Sequence, residues 1–197
     1  MDSAKAGDVF DLVDRDLWLV TSAAGARLGG FIATFVNEAS IVPDMPRVLV
    51  GISRQHFTWE LVEASNAFAL HLLAEEHLGW VWRFGTHSGR DFDKFAGMTF
   101  RRGKTGSPIL ADAPAWLECR VEARLNTGER TVYLAAVVAA ECRRPVTPLT
   151  VKRLVQVAPA DQLKQLDQLM ARDIAVDRSA IQAWRQQQAA NRSNVNP

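Results

Sequence analysis

Two long apolar segments, Ala115 to Leu125 and Arg130 to Glu141, are separated only by Asn126-Thr127-Gly128-Glu129. A parallel pair needs a crossover of a dozen or more residues, so this link forces an antiparallel hairpin. Glycine in the link supplies the backbone freedom that a tight reversal needs. A hairpin this long cannot hide both faces by itself. It requires further strands beside it.

The preceding residues supply them. Leu17 to Thr21 is an apolar run of strand formers, Ala23 to Arg27 reads as a small-residue turn, and Leu28 to Val36 resumes the pattern, giving a second hairpin. Arg47 to Ile52 is entered from Pro43 and Pro46, and Ala67 to Leu73 is another apolar run. Six strands, several of them nearly continuous in apolar character, predict a mainly β protein built on a closed or nearly closed antiparallel barrel. Helices interrupt it. Thr58 is expected to cap a helix through Ala64, with Asn66 near its end. Glu75 and Glu76 suit the first turn of another helix and Arg83 its last. Leu78, Val81 and Trp82 would share that helix's buried face.

Pro145 to Pro148 marks a change of character. Beyond it, Leu149 to Val157, Asp161 to Ala171 and Asp177 to Ala190 read as three helices. The chain therefore divides into a barrel domain, 1–145, and a C-terminal helical extension, 146–197, which either docks on the barrel or clasps a partner.

Charge excludes some functions. Lys plus Arg is 23 and Asp plus Glu is 22 among 197 residues, which lacks the basic excess of a nucleic-acid-binding protein. No apolar run approaches the roughly 20 residues that span a bilayer. The aspartate-rich start, Asp2 to Asp16, does not read as a secretory signal. Cys119 and Cys142 form neither a zinc motif nor a disulfide framework, which suits two reduced thiols in the cytoplasm. His56, His71, His77 and His87 are scattered and offer no ligand pair for a metal; His71 falls in a strand pattern, and His77 and His87 read as surface residues.

Motifs for nucleophilic, P-loop or zinc chemistry are absent, and Gly25, Gly29 and Gly30 lie in a hairpin rather than a strand-to-helix turn. Two segments stand out. Thr34 to Ser40 follows a strand yet carries Thr34, Asn37 and Ser40. Either these serve ordinary turns, or they and the free backbone present hydrogen bonds to a flat heteroaromatic ring. Ser53, Arg54, His56 and Thr58 place four phosphate-compatible donors ahead of a helix N-terminus, which itself favours anions. The alternative is a solvated loop. Together the segments suit a planar ring on a phosphate tail: flavin mononucleotide (FMN), pyridoxal phosphate or another nucleotide.

The order of these segments resembles the flavin reductase-like, FMN-binding split-barrel family. The likeness runs from Leu17 to Glu141 through LWLVTS, GGFIATFVNEAS, PRVLVGISRQHFTWELVEASNAFALHLL, WRFG, DKFAG and TGSPILADAPAWLECRVEARLNTGERTVYLAAVVAAE. It implies a six-stranded Greek-key split barrel, usually a homodimer with FMN near the interface. By the same likeness Thr34, Val36, Asn37, Ala39 and Ser40 would line the ring and ribityl chain. Ser53, Arg54, His56 and Thr58 would hold the phosphate. Arg83 and Lys94 would add positive charge near phosphate or nicotinamide, unless they are a helix end and a solvated lysine.

Many family members carry GDHT where this chain has Gly128-Glu129-Arg130-Thr131. Arg130 thus replaces a histidine that lies beside flavin and nicotinamide in the family. A guanidinium cannot transfer a proton usefully near neutrality, but it can hold phosphate or other negative charge. The resemblance implies hydride transfer from NAD(P)H to flavin and onward to free flavin, a monooxygenase partner or another acceptor. A non-catalytic flavin or haem carrier on the same barrel is the alternative.

Overall fold

The computed structural model describes residues 3–193. A helix, α1 (Ser3–Leu12), leads into the hairpin β1 (Trp18–Ala24) and β2 (Arg27–Ala33). Next come β3 (Val36–Glu38), β4 (Arg47–Ser53), α2 (Phe57–Ser65) and β5 (Ala67–Leu72). A 3-10 turn, Glu75–His77, runs into α3 (Leu78–Gly85). The remaining elements are the small hairpin β6 (Phe100–Arg102) and β7 (Pro108–Leu110), the long hairpin β8 (Ala115–Asn126) and β9 (Arg130–Cys142), and the helices α4 (Val151–Val157) and α5 (Ala160–Ser193).

The principal sheet has seven strands in the order β2-β1-β5-β8-β9-β4-β3, rather than the six expected, and its pairs are antiparallel. β6 and β7 pair separately. The extra strand arises because Leu28 to Val36 is not one strand. β2 stops at Ala33, and Val36–Glu38 pairs with β4 at the opposite edge of the sheet.

That break dictates the overall shape. Laid flat, six inter-strand spacings of about 4.8 Å would hold the two edges roughly 29 Å apart. Only Thr34 and Phe35 join β2 to β3. Three residue steps reach at most about 11 Å. The sheet must therefore curl until its edges nearly meet, leaving a split between β2 and β3.

The core has two layers. Val20, Phe31, Val50, Ile52, Phe68, Leu70 and Tyr133 fill the inside of the curl. Leu19, Leu73, Val81, Phe84, Phe95, Leu110 and Leu154 form a second cluster outside it. Val20 and Leu19 are adjacent residues that belong to different clusters, as the two-residue period of a strand requires. β1 is thus buried on both faces, which is why its sequence, WLVTSAA, carries no charge and shows no apolar-polar alternation. His71, a core histidine as expected, is fully buried; Leu110 N donates to its Nε2 at 3.2 Å, and its Nδ1 faces Leu19 O at 3.1 Å. Burial pushes its pKa down to about 4, so it stays neutral.

Several local expectations are corrected. Thr58 does not cap α2; His56 occupies the cap position, and Thr58 is buried in the first turn. Asn66 does end that helix, in the left-handed conformation at φ 54°. His77 is buried rather than at the surface, because its Nδ1 accepts from Ala74 N and closes the turn into α3. The two distal helices are one helix, α5, since residues 172–176 contain neither Gly nor Pro to break it. Both cysteines are free, Cys119 buried and Cys142 exposed. Among the described residues no helix is long and apolar enough to cross a membrane.

α5 rests on the barrel at the β8–β9 turn. Gly128 lies there at φ +99°, and a Cβ at this position would stand 2.7 Å from Trp184 Cβ and 2.9 Å from the Ala180 carbonyl oxygen. The residue that permits the hairpin turn is also the one that lets α5 come close.

Candidate functional site

The split opens a cleft of about 450 Å³. The crossing residues Phe31 to Phe35 form one wall, Gly51 and Val81 contribute beside it, and Leu166, Leu169, Met170 and Ile174 of α5 cover it. This chamber is mostly apolar. A second chamber of about 230 Å³ adjoins it, sharing Phe31, His56, Gly85, Leu169 and Asp173. The second chamber is polar: Thr58, Thr86, His87, Ser88, Arg90 and Lys94 line it, together with the start of α2.

Lys94 gives this chamber its character. It is only 5% exposed, a buried lysine rather than a solvated one. Its Nζ donates to Gly30 O at 2.9 Å and Phe84 O at 2.8 Å. An ammonium has three protons, so one remains for the chamber. Burial lowers its pKa to about 8, which leaves it mostly protonated at neutrality. Gly30 permits this approach of elements: a Cβ there would lie 2.9 Å from the Phe84 ring.

His56 reports the local field. Burial first, then Lys94, Arg130 and Arg90, pull its pKa down to about 4. A neutral imidazole surrounded by cations marks a place suited to an anion. His56 stacks edge-on against Phe31 with centroids 4.6 Å apart, which fixes its ring where the two chambers join.

A further polar atom lacks a partner. Ser53 Oγ is buried and makes no hydrogen bond. Val50 and Ile52 face the inner core, so the strand period turns Gly51 and Ser53 the other way, and Gly51 lines the cleft. Buried hydroxyls are ordinarily satisfied, so an orphan on the cleft side of β4 fits a site made for a polar ligand.

Arg130 closes the apolar chamber. Its guanidinium lies over the Phe35 ring at 4.7 Å and pairs with Asp177 of α5 at 3.2 Å. Asp173 and Asp177 both have raised pKa values, because burial disfavours their charge more than Arg130 favours it.

The structure brings some of the expected residues together and separates others. Thr34, His56, Thr58, Lys94 and Arg130 line the two chambers. Val36 packs against the inner core, and Asn37 and Ala39 lie on or just after the edge strand β3. Ser40 Oγ accepts from Val42 N at 3.2 Å, an ordinary turn contact. Arg54 lies over Trp59 at 5.3 Å and lines a different hollow, against Gly128 and Asp177, so it does not join Lys94. Arg83 donates to the carbonyls of Lys94, at 2.7 Å, and of Ala96. It holds the Lys94 segment in place and lines neither chamber.

Residues 86–90 and the α5 carboxylates were not expected. Thr86-His87-Ser88-Gly89-Arg90 does carry a signal, being small, polar and glycine-containing directly after an apolar helix. Asp173 and Asp177 carry none, since only packing brings α5 to the cleft.

A curled antiparallel sheet, split beside an apolar slot and a cationic pocket, is the architecture of a split barrel. The Flavin reductase like domain matches residues 11–158, and the chain belongs to that family. The high molecular weight rubredoxin of Moorella thermoacetica is 32% identical over 136 residues, 68% of this chain and 58% of that protein. The chain thus spans little more than half of that relative. A ferric-chelate reductase (NAD(P)H) from Archaeoglobus fulgidus is 29% identical, covering 73% of this chain and 85% of its own length. Nitrilotriacetate monooxygenase component B from Mycobacterium thermoresistibile superposes with a TM-score of 0.66 at 26% identity, over 76% of this chain and 82% of that one. An FMN-binding protein from Thermus thermophilus gives 0.61 at 25% identity, over 66% and 72%.

Proposed function

We propose that the chain binds FMN at the barrel split and uses it to carry electrons from NAD(P)H to free flavin, a monooxygenase partner or another acceptor. One observation carries this reading: an apolar slot and a chamber of buried positive charge share a wall, matching a flat ring joined to a phosphate. Bound FMN would supply hydride acceptance and onward electron transfer, which is chemistry the side chains lack.

The residues have separable tasks. Lys94, Arg90 and the N-terminus of α2 attract the phosphate, and Thr58 and Ser53 offer hydroxyls. Phe31, Thr34 and Phe35 bound the ring slot, and Val36 offers the unpaired edge of β3, since the Ala39 amide donates to Arg47 O. Arg130 presents a fixed positive charge to the ring chamber, where it can hold negative charge or the phosphate of an incoming NAD(P)H. Leu166, Leu169 and Met170 keep water out of it.

The family match and the relatives named for flavin and NAD(P)H support the reading. The exposed apolar residues Ile41, Val42 and Met45 beside β3 and β4 support a homodimer. Two unpaired cysteines agree with a cytoplasmic location.

The test is spectroscopic. The protein is mixed with FMN, desalted, and examined for a retained yellow flavin band. Anaerobic NADH or NADPH is then expected to bleach that band. No band, together with no quenching of FMN fluorescence on titration, would remove the flavin reading. A band unbleached over minutes would leave a flavin carrier in place of a reductase.

pH gives a second expected result. A phosphate monoester takes its second charge near pH 6. Lys94 loses its proton near 8. FMN affinity should therefore rise through about pH 6, peak near 7 and fall above 8, steepening toward tenfold per unit. His56, already neutral, adds no break between. Stability moves the other way: the unfolded lysine holds its proton up to about 10.4, so the unfolded chain binds more protons between 8 and 10. The ligand-free fold should gain stability from Lys94 across that interval. Dissociation constants measured from pH 5 to 9 check the first trend, and ligand-free melting curves from pH 7 to 10 the second.

A further inference from the structure

α5 follows the family domain, which matches residues 11–158, and lies across the mouth of the cleft. Its hold is thin. Between Ala160 and Arg192 no side chain is fully buried, whereas the strands below are. Elements with few buried contacts open at low free-energy cost.

The polar hold is concentrated at one residue. Asp177 pairs with Arg130 at 3.2 Å through one carboxylate oxygen and accepts from Gln55 Nε2 at 3.3 Å through the other. Arg130 is at once the partner of α5 and a wall of the cleft. Asp173 stands one helical turn away and lines both chambers. In the closed arrangement two carboxylates therefore stand beside the cations that a phosphate would seek. A phosphate-bearing ligand meets repulsion until α5 withdraws, and it competes with Asp177 for the same guanidinium.

We propose that α5 is a gate over the cleft, latched in the ligand-free chain by Asp177 on Arg130 and Gln55, and released when an anionic phosphate ligand takes Arg130. The hinge is the segment Ala158-Pro159, between α4 and α5. The choice of a phosphate ligand rests on the function proposed above; the latch itself rests on the contacts of α5.

The experiment reads opening without relying on flavin. Thr34→Cys in a Cys142→Ser background places a thiol in the cleft, and its reaction with a chromogenic disulfide reports access. Adding Asp177→Asn should speed labelling at least fivefold. It should also raise hydrogen exchange across residues 163–184 while β8 and β9 stay protected. Gln55→Ala should give a smaller effect in the same direction. Arg178→Gln, a neighbouring exchange between residues of similar helix propensity without a latch contact, should have none. Inorganic pyrophosphate should speed labelling of the Asp177 protein and not of the Asp177→Asn variant. Equal labelling with and without Asp177, equal loosening by Arg178→Gln, or no response to pyrophosphate would each overturn the gate. FMN titration of the unaltered protein is separate: its failure would remove the flavin reading, while the thiol still decides the gate.

Discussion

Replacing Lys94 by methionine is expected to weaken FMN binding about 10–150-fold, because a hydrogen bond to a charged group contributes roughly 1.5–3 kcal/mol. The chain length is nearly preserved, so the change removes charge and donors rather than volume. It also strips the Gly30 and Phe84 carbonyls of their donor. Leaving buried acceptors unpaired costs about 1–3 kcal/mol each, so the variant should melt lower as well. The two effects separate by measuring affinity well below the variant's melting temperature. Lys94→Arg is not expected to rescue binding, since a planar guanidinium cannot place its donors on two converging carbonyls as a compact ammonium does. A folded Lys94→Met protein that binds FMN within threefold of the parent would show that the phosphate lies elsewhere.

Phe84→Ala is expected to be the most damaging single truncation near the site. Phe84 is 1% exposed, packs edge-on against Phe95 at 5.4 Å and covers Gly30. Loss of a buried phenylalanine side chain costs about 3–5 kcal/mol, partly through the cavity left behind. For a chain of this size each kcal/mol lowers the melting temperature by roughly 2–4 °C, so a fall of about 6–20 °C is expected. The effect reaches function because the Phe84 carbonyl holds Lys94 and the ring lines the polar chamber. Calorimetry checks the first consequence and FMN titration the second. A fall below 3 °C would mean that neighbouring side chains collapse into the space.

The barrel was legible where its information is local. The β8–β9 hairpin follows from two apolar runs and a glycine turn, and the structure places them at Ala115–Asn126 and Arg130–Cys142. β1, β4 and β5 were legible for the same reason, each being an apolar run bounded by turn residues. The end of α2 was readable from Asn66, which tolerates the left-handed conformation.

The break after Ala33 was not legible. Ile32, Phe35 and Val36 continue the apolar pattern, and only the need to reach β4 interrupts the strand. The division of α5 into two helices failed for a related reason: a fading apolar period is not a breaker, and without Gly or Pro the backbone bonds carry through. α1 had no counterpart in the sequence reading. Its face is exposed at Val9, Phe10 and Leu12, so no core period announces it.

The candidate site divides along the same line. Thr58 and His56 were visible as donors ahead of a helix, but their neighbour Arg54 carried the same signal and points to another hollow. Lys94 read as either functional or solvated, and only the fold of the 86–96 segment under Arg83 buries it. By itself the sequence determined the six longer strands, their antiparallel pairing through short links, the family and a set of phosphate-compatible residues, because hydrogen bonding and turn chemistry act over a few positions. The tertiary structure alone decided which of those residues meet. Gly30, His56, the Arg90–Lys94 segment, Arg130 and Asp173 are distant in the chain, and they converge only because the sheet curls until its edges meet and α5 lies back across the split.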